Sequence, residues 1–183
     1  MKKLLKFAPL CALLLGAVAF ILMMATHAIT YSASVGGVVN ASGWYSGAAV
    51  IFGKGPEYAS GAILGFGGAG EGTFEGKLAW NALLAFIFFV VALVALLLSS
   101  LMVFVKIKAL EKFGGLIALV AAGLLLVGGI FLFFTLPAFA AANEWSSTDG
   151  FKLGVGWIIA AILAIVAGVA SACPAVLALV EKK

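Results

Sequence analysis

Apolar residues run almost unbroken through four stretches, 4–28, 79–105, 116–142 and 153–180, and polar and charged residues collect between them. A helix needs roughly 20 apolar residues to cross the hydrocarbon core of a bilayer, so each stretch is long enough to span, with a turn left for tilt. The connecting segments are unequal: residues 29–78 on one side, against 106–115 and 143–152. Short connections force the second, third and fourth helices to be antiparallel neighbours. The pattern predicts an all-α membrane protein of one domain, residues 1–183. Its expected form is a four-helix transmembrane bundle with a small extracellular antiparallel β-sheet or hairpin from the first outer segment.

Composition excludes the soluble alternative. Of 183 residues, 65% are hydrophobic and 10% charged, with a mean hydropathy of +1.27. Charge then supplies an orientation. All eleven basic residues are lysines. Lys2, Lys3, Lys6, Lys106, Lys108, Lys112, Lys182 and Lys183 fall on one side of the four spans. Lys54, Lys77 and Lys152 fall on the other, with Glu57, Glu71, Glu75, Glu144 and Asp149. Basic residues in short loops stay inside, so both termini are expected to be cytoplasmic. The pI near 9.2 then reports attraction to anionic lipid rather than to nucleic acid. Trp80, Trp145 and Trp157 stand at outer helix ends, and Trp44, Tyr31, Tyr45 and Tyr58 lie in or beside the first outer segment, as expected of rings that settle at the water boundary. Residues 1–28 also carry features of a cleavable signal. Their apolar run is longer than a usual signal core, and an uncleaved helix keeps the charge topology consistent.

The first outer segment holds 13 glycines in 50 residues, too many for a helix. Its small, β-branched and aromatic runs at 30–35 and 48–52 read as short antiparallel strands. A weak repeat, 46–53 echoed by 60–67, flanks the turn-like Lys54-Gly55-Pro56-Glu57. A hairpin joined at that turn, with Phe52 or Phe66 facing apolar material, is one expectation; a flexible glycine-rich loop is the other.

Motifs that would carry chemistry are sparse. Gly65-Phe66-Gly67-Gly68-Ala69-Gly70 matches the dinucleotide fingerprint, but it faces outward and lacks a clear following helix with an acidic residue at the required distance. His27 reads as an interfacial side chain. Glu57, Glu71 and Glu75 read as a solvated acidic loop rather than a cation site. Cys11 and Cys173 lie near the cytoplasmic ends of their helices, where a disulfide does not persist, and read as small core residues or, alternatively, acylation sites. No catalytic constellation is present; no enzyme activity, cofactor or metal is expected. No charge falls inside a span, which disfavours a proton relay. Asn81, Ser99, Ser100, Thr135 and Ser171 are the main polar groups there, with hydroxyls able to bond their own helix backbone. Pro137 and Pro174 fall near helix ends, where a kink is tolerated.

Small residues allow membrane helices to approach closely. Ala12 with Gly16, Ala164 with Gly168, and Gly115, Ala118, Ala122 and Gly129 on the third helix form such stripes, for packing within the bundle or as an oligomer seam.

Four spans, a long first outer segment with strand character and a short second one resemble the claudin-like tetraspan membrane proteins. Of that family's W-x-G-L-W signature in the first outer segment only Gly43-Trp44-Tyr45 is suggestive here, and its downstream cysteine pair is missing. The resemblance implies a small outer sheet packed on a left-handed bundle, in a family whose members assemble side to side or serve as auxiliary channel subunits. The fold is transferred, not the activity. Lysine without arginine fits an AT-rich, bacterial genome and residence in the plasma membrane. The expected function is nonenzymatic contact, within the lipid bilayer, with a second copy (a homo-oligomer) or another membrane protein. Trp44, Tyr45, Phe52, Tyr58 and Phe66 are the expected aromatic anchors, whose alternative role is to pack the sheet onto the bundle. A pore-forming oligomer is the alternative function.

Overall fold

The computed structural model describes residues 7–35, 39–54, 58–60, 77–105 and 108–180. In chain order the elements are α1 (Ala8–Ala25), β1 (His27–Val35), β2 (Val39–Ser46), α2 (Gly47–Phe52), β3 (Tyr58–Ser60), α3 (Trp80–Val105), α4 (Lys108–Phe133), α5 (Thr135–Ala142), β4 (Phe151–Leu153) and α6 (Val155–Val180). Within α1, α3, α4 and α6 lie apolar stretches of 18, 23, 21 and 19 residues. At about 1.5 Å per residue each is close to the ~30 Å hydrocarbon thickness, which makes the chain a multi-pass integral membrane protein. Broad apolar faces, such as Leu14, Val18 and Ile21 on α1 or Val91, Val94 and Leu98 on α3, are left exposed for lipid.

Element ends differ from the hydropathy reading for local reasons. Residues 27 and 28, apolar-flanked and assigned to the first span, belong to β1: the Thr26 hydroxyl donates to the Leu22 carbonyl at 2.6 Å and closes α1. The helix of the third span, α4, has its first described residue at Lys108, so most of the expected 106–115 connection is helical. That same span is interrupted at Phe134, because Pro137 has no N–H to offer the Phe133 carbonyl and its ring crowds that oxygen.

The sheet has the order β3-β2-β1-β4 with antiparallel neighbours. The chain between α1 and α3 supplies three strands and the chain between α5 and α6 the fourth, a pairing that no spacing in the sequence announced. Residues 48–52, expected as a strand, are the helix α2 instead. Ser46 caps it, its hydroxyl accepting from Ala49 N at 3.1 Å, and Gly53 closes it in the left-handed region at φ 69. A serine start and a glycine stop favour a helical turn over extension. The expected hairpin at 54–57 and the repeat copy at 60–67 fall largely outside the described residues.

Chain contacts divide the protein into two compact units. One comprises Met1–Phe20, Ala85–Ile130 and Ala160–Lys183; the other Ile21–Leu84 and Phe131–Ile159.

The first unit is packed through small residues. A methyl added to Gly168 would lie 2.9 Å from the Ala122 carbonyl oxygen, and one added to Gly129 would lie 2.9 Å from that of Ala161. One helical turn further along, the Ser171 hydroxyl donates to the Ala118 carbonyl at 2.9 Å. Ala118, Ala122, Ala161 and Ala164 are all buried along this α4–α6 seam. Ala12 is buried on α1, and Gly16 receives the Leu93 side chain. Gly115 does not share the seam: it is exposed, with nothing within 4 Å of an added methyl.

Ser99 also reaches across, to the Gly114 carbonyl at 3.2 Å. Thr135, the first residue of α5, donates to the Phe131 carbonyl of α4 at 3.3 Å, across the break rather than within its own helix. Cys11 and Cys173 are exposed free thiols rather than core residues.

Candidate interaction surface

Every second residue of a strand shares a face, and the register sorts the sheet's residues accordingly. Ile29 pairs with Tyr45 and Leu153, and Tyr31 with Gly43 and Phe151. Ile29, Tyr31, Gly43 and Tyr45 are buried. Thr30 pairs with Trp44 and Lys152, Ser32 with Ser42, and Trp44 with Tyr58. On this second face Thr30, Ser42 and Trp44 are half-buried, and Ser32 and Lys152 exposed.

An aromatic ladder mounts the first face. Tyr31 stacks on Phe151 with ring centroids 4.4 Å apart, and Phe151 on Trp145 at 4.2 Å. Trp145 meets Phe139 of α5 edge-on at 5.3 Å, and Tyr45 meets the same Phe139 edge-on at 5.0 Å. Such edge contacts between aromatic rings add about 1 kcal/mol each beyond the area they bury. Burial pushes the Tyr45 phenol above its ordinary pKa, since the phenolate would lose its hydration.

A bulge sets the other face. His27 and Ile29, two residues apart, would share a side in a regular strand, yet the register shifts between them. His27 pairs with Ser46 while Ile29 pairs with Tyr45. The extra residue re-aims one side chain: Ile29 stays buried, and His27 emerges exposed on the Trp44 face, ring centroids 4.7 Å from the indole. Neither the bulge nor the His27–Trp44 stack is visible in the sequence; the one legible sign was an isolated histidine at a helix end.

A polar latch joins the chain before α3 to the chain after α5. The Asn143 side chain accepts from Lys77 N at 2.8 Å and donates to Lys77 O at 3.1 Å, pairing with the peptide as a strand would. Lys77 Nζ lies 2.6 Å from Glu144 Oε1. Hydrogen bonding from Lys77, then its charge, holds the Glu144 carboxyl below its ordinary pKa. Glu144 adopts φ 57, the left-handed position that commonly ends a helix and favours glycine. Glu144 N reaches Ala141 O and Trp145 N reaches Ala140 O, the two bonds of that terminating turn.

Of the expected anchors, Trp44 lies on the outward face, Tyr45 is buried in the ladder, and Phe52 is 49% exposed at the end of α2. Tyr58 stands opposite Trp44 by register; Phe66, like the glycine motif at 65–70 and Glu57, Glu71 and Glu75, lies outside the described residues. Trp157, expected at the water boundary, is fully buried and donates to the Leu132 carbonyl at 3.2 Å. Trp80 is 68% exposed at the start of α3.

No known protein family and no curated protein matches the chain.

Proposed function

We propose that this protein is a nonenzymatic tetraspan of the plasma membrane, with both termini cytoplasmic, that contacts a second copy of itself or another membrane protein through its outer segments. The observation that supports this reading most is the division of labour between the sheet's two faces. Tyr31, Tyr45, Trp145, Phe139 and Phe151 are committed to holding the sheet in place. The other face offers Trp44 with His27, flanked by Thr30, Ser32, Ser42 and Lys152, on a rigid mount. A preorganised surface loses little conformational freedom on binding, and an aromatic beside hydroxyls provides area and hydrogen bonding together.

The contact surface is accordingly drawn from Trp44, Phe52 and the register positions on the Trp44 face, rather than from the full set Trp44, Tyr45, Phe52, Tyr58 and Phe66. Replacing Trp44 with Ser tests it. In lipid nanodiscs, native mass spectrometry should show loss of the self-assembly or of a copurifying membrane protein, with the thermal midpoint little changed. Assembly equal to wild type in a folded Trp44→Ser protein would overturn the reading. Tyr45→Ala, by contrast, should lower the thermal midpoint.

A further inference from the structure

The interruption between α4 and α5 lies within the third apolar stretch of the chain, where a carbonyl freed from helical bonding needs a partner inside the protein. Side chains of α3 and α6 supply donors, together with groups at the break itself. Trp157 Nε1 of α6, fully buried, donates to Leu132 O at 3.2 Å. Three donors converge on Phe131 O: Asn81 Nδ2 of α3 at 3.0 Å, Phe134 N at 3.1 Å and Thr135 Oγ1 at 3.3 Å. A carbonyl oxygen has two lone pairs, so this acceptor is oversubscribed. The same Asn81 leaves its buried Oδ1 with no hydrogen-bond partner. An acceptor with a donor to spare stands beside a side chain with an acceptor unused.

Beyond the break, α5 is pinned at its far end. Phe139 is the plate on which Tyr45 and Trp145 rest, and Asn143 holds Lys77. With Pro137 preventing a continuous helix, the direction of α5 is set by how Phe131 O and Leu132 O are held.

We propose that this break is a pinned hinge with a fixed and a releasable pin. Trp157 on Leu132 is the fixed pin. Asn81 on Phe131 is the releasable one, because Phe134 and Thr135 satisfy that oxygen when Asn81 lets go. Release turns α5 and moves Phe139 beneath Tyr45 and Trp145, which makes Asn81 a positioning residue for the sheet. This inference is independent of the proposed contact function, since it concerns only motion within one protomer.

The test uses the full chain in nanodiscs, labelled with 5-fluorotryptophan, with the Trp145 resonance assigned through a Trp145→Phe protein. Asn81→Leu removes the releasable pin: the Trp145 resonance should shift or double while that of Trp44 stays, and amide exchange at Thr135, Leu136 and Ala138 should speed about tenfold. Thr135→Val removes a competing donor and should act in the opposite direction, sharpening the Trp145 resonance and slowing exchange severalfold. A Trp145 resonance and exchange rates unchanged in folded Asn81→Leu would overturn the hinge, as would changes of the same sign in both variants. Should Asn81→Leu fail to fold, Thr135→Val decides: slower exchange supports the hinge, and unchanged exchange overturns it.

Discussion

The α4–α6 seam and the sheet layer solve the same problem by different means. Along the seam the backbones are helical and already hydrogen-bonded, so cohesion comes from small residues that let the chains approach: Gly129 against Ala161, Gly168 against Ala122. Lipid tails are as apolar as leucine, which leaves close packing and an occasional cross-helix bond such as Ser171 to Ala118 as the available attractions. Around the sheet the backbone leaves the helix repeatedly, at Thr26, Phe134 and Asn143. There side chains replace the missing partners, and large aromatic rings provide the contact. Where the backbone satisfies itself, the side chain is best absent. Where it does not, the side chain becomes structural.

The steepest test of this contrast is a glycine in the sheet layer. A methyl at Gly154 would collide with the carbonyl oxygen of His27. Gly154→Ala should therefore cost more than about 4 kcal/mol and leave little folded protein, read as loss of a monodisperse peak in mild detergent. Gly129→Ala on the seam should cost about 2 kcal/mol, as the helices part to admit the methyl, measured by thermal or denaturant unfolding. Gly115→Ala, in open space on the same helix, should instead stabilise by about 0.5 kcal/mol, because glycine is the poorer helix former. Equal effects at 115 and 129 would contradict the seam.

Ser171→Ala is expected to cost less than Gly129→Ala, on the order of 0.6 kcal/mol. The smallest effect belongs to the Lys77–Glu144 pair, which is well exposed. Its carboxyl is held below the ordinary carboxylate range, so the pair contributes fully above that range. The contribution disappears as acid takes the pH down through the lowered pKa, and added salt weakens it. Glu144→Gly, relieving the left-handed backbone, should abolish that pH dependence in thermal scans while preserving the fold.

Much of the helical architecture was legible because apolar length is a direct statement about bilayer thickness, and the Ala118-Ala122-Gly129 spacing is a direct statement about a helix face. The strand at 30–35 was legible from its β-branched and aromatic residues. Other features depend on partners distant in sequence. Phe151–Leu153 is a strand because β1 has an open edge there, and Trp157 is buried because a broken helix elsewhere needs a donor. The Ala48–Phe52 run misled, since its apolar, small residues suit either state and the caps at Ser46 and Gly53 decide. His27 could not be placed without the bulge.

On the proposed function Trp44 and Tyr45, adjacent in the chain, have opposite duties. Photo-crosslinkable benzoylphenylalanine placed singly at residues 42, 44, 45 and 151 in native membranes measures this directly. Adducts to a second copy or to another membrane protein from 42 and 44, with only internal products from 45 and 151, are the predicted result. Intermolecular adducts from 45 and 151 with none from 42 and 44 would contradict it.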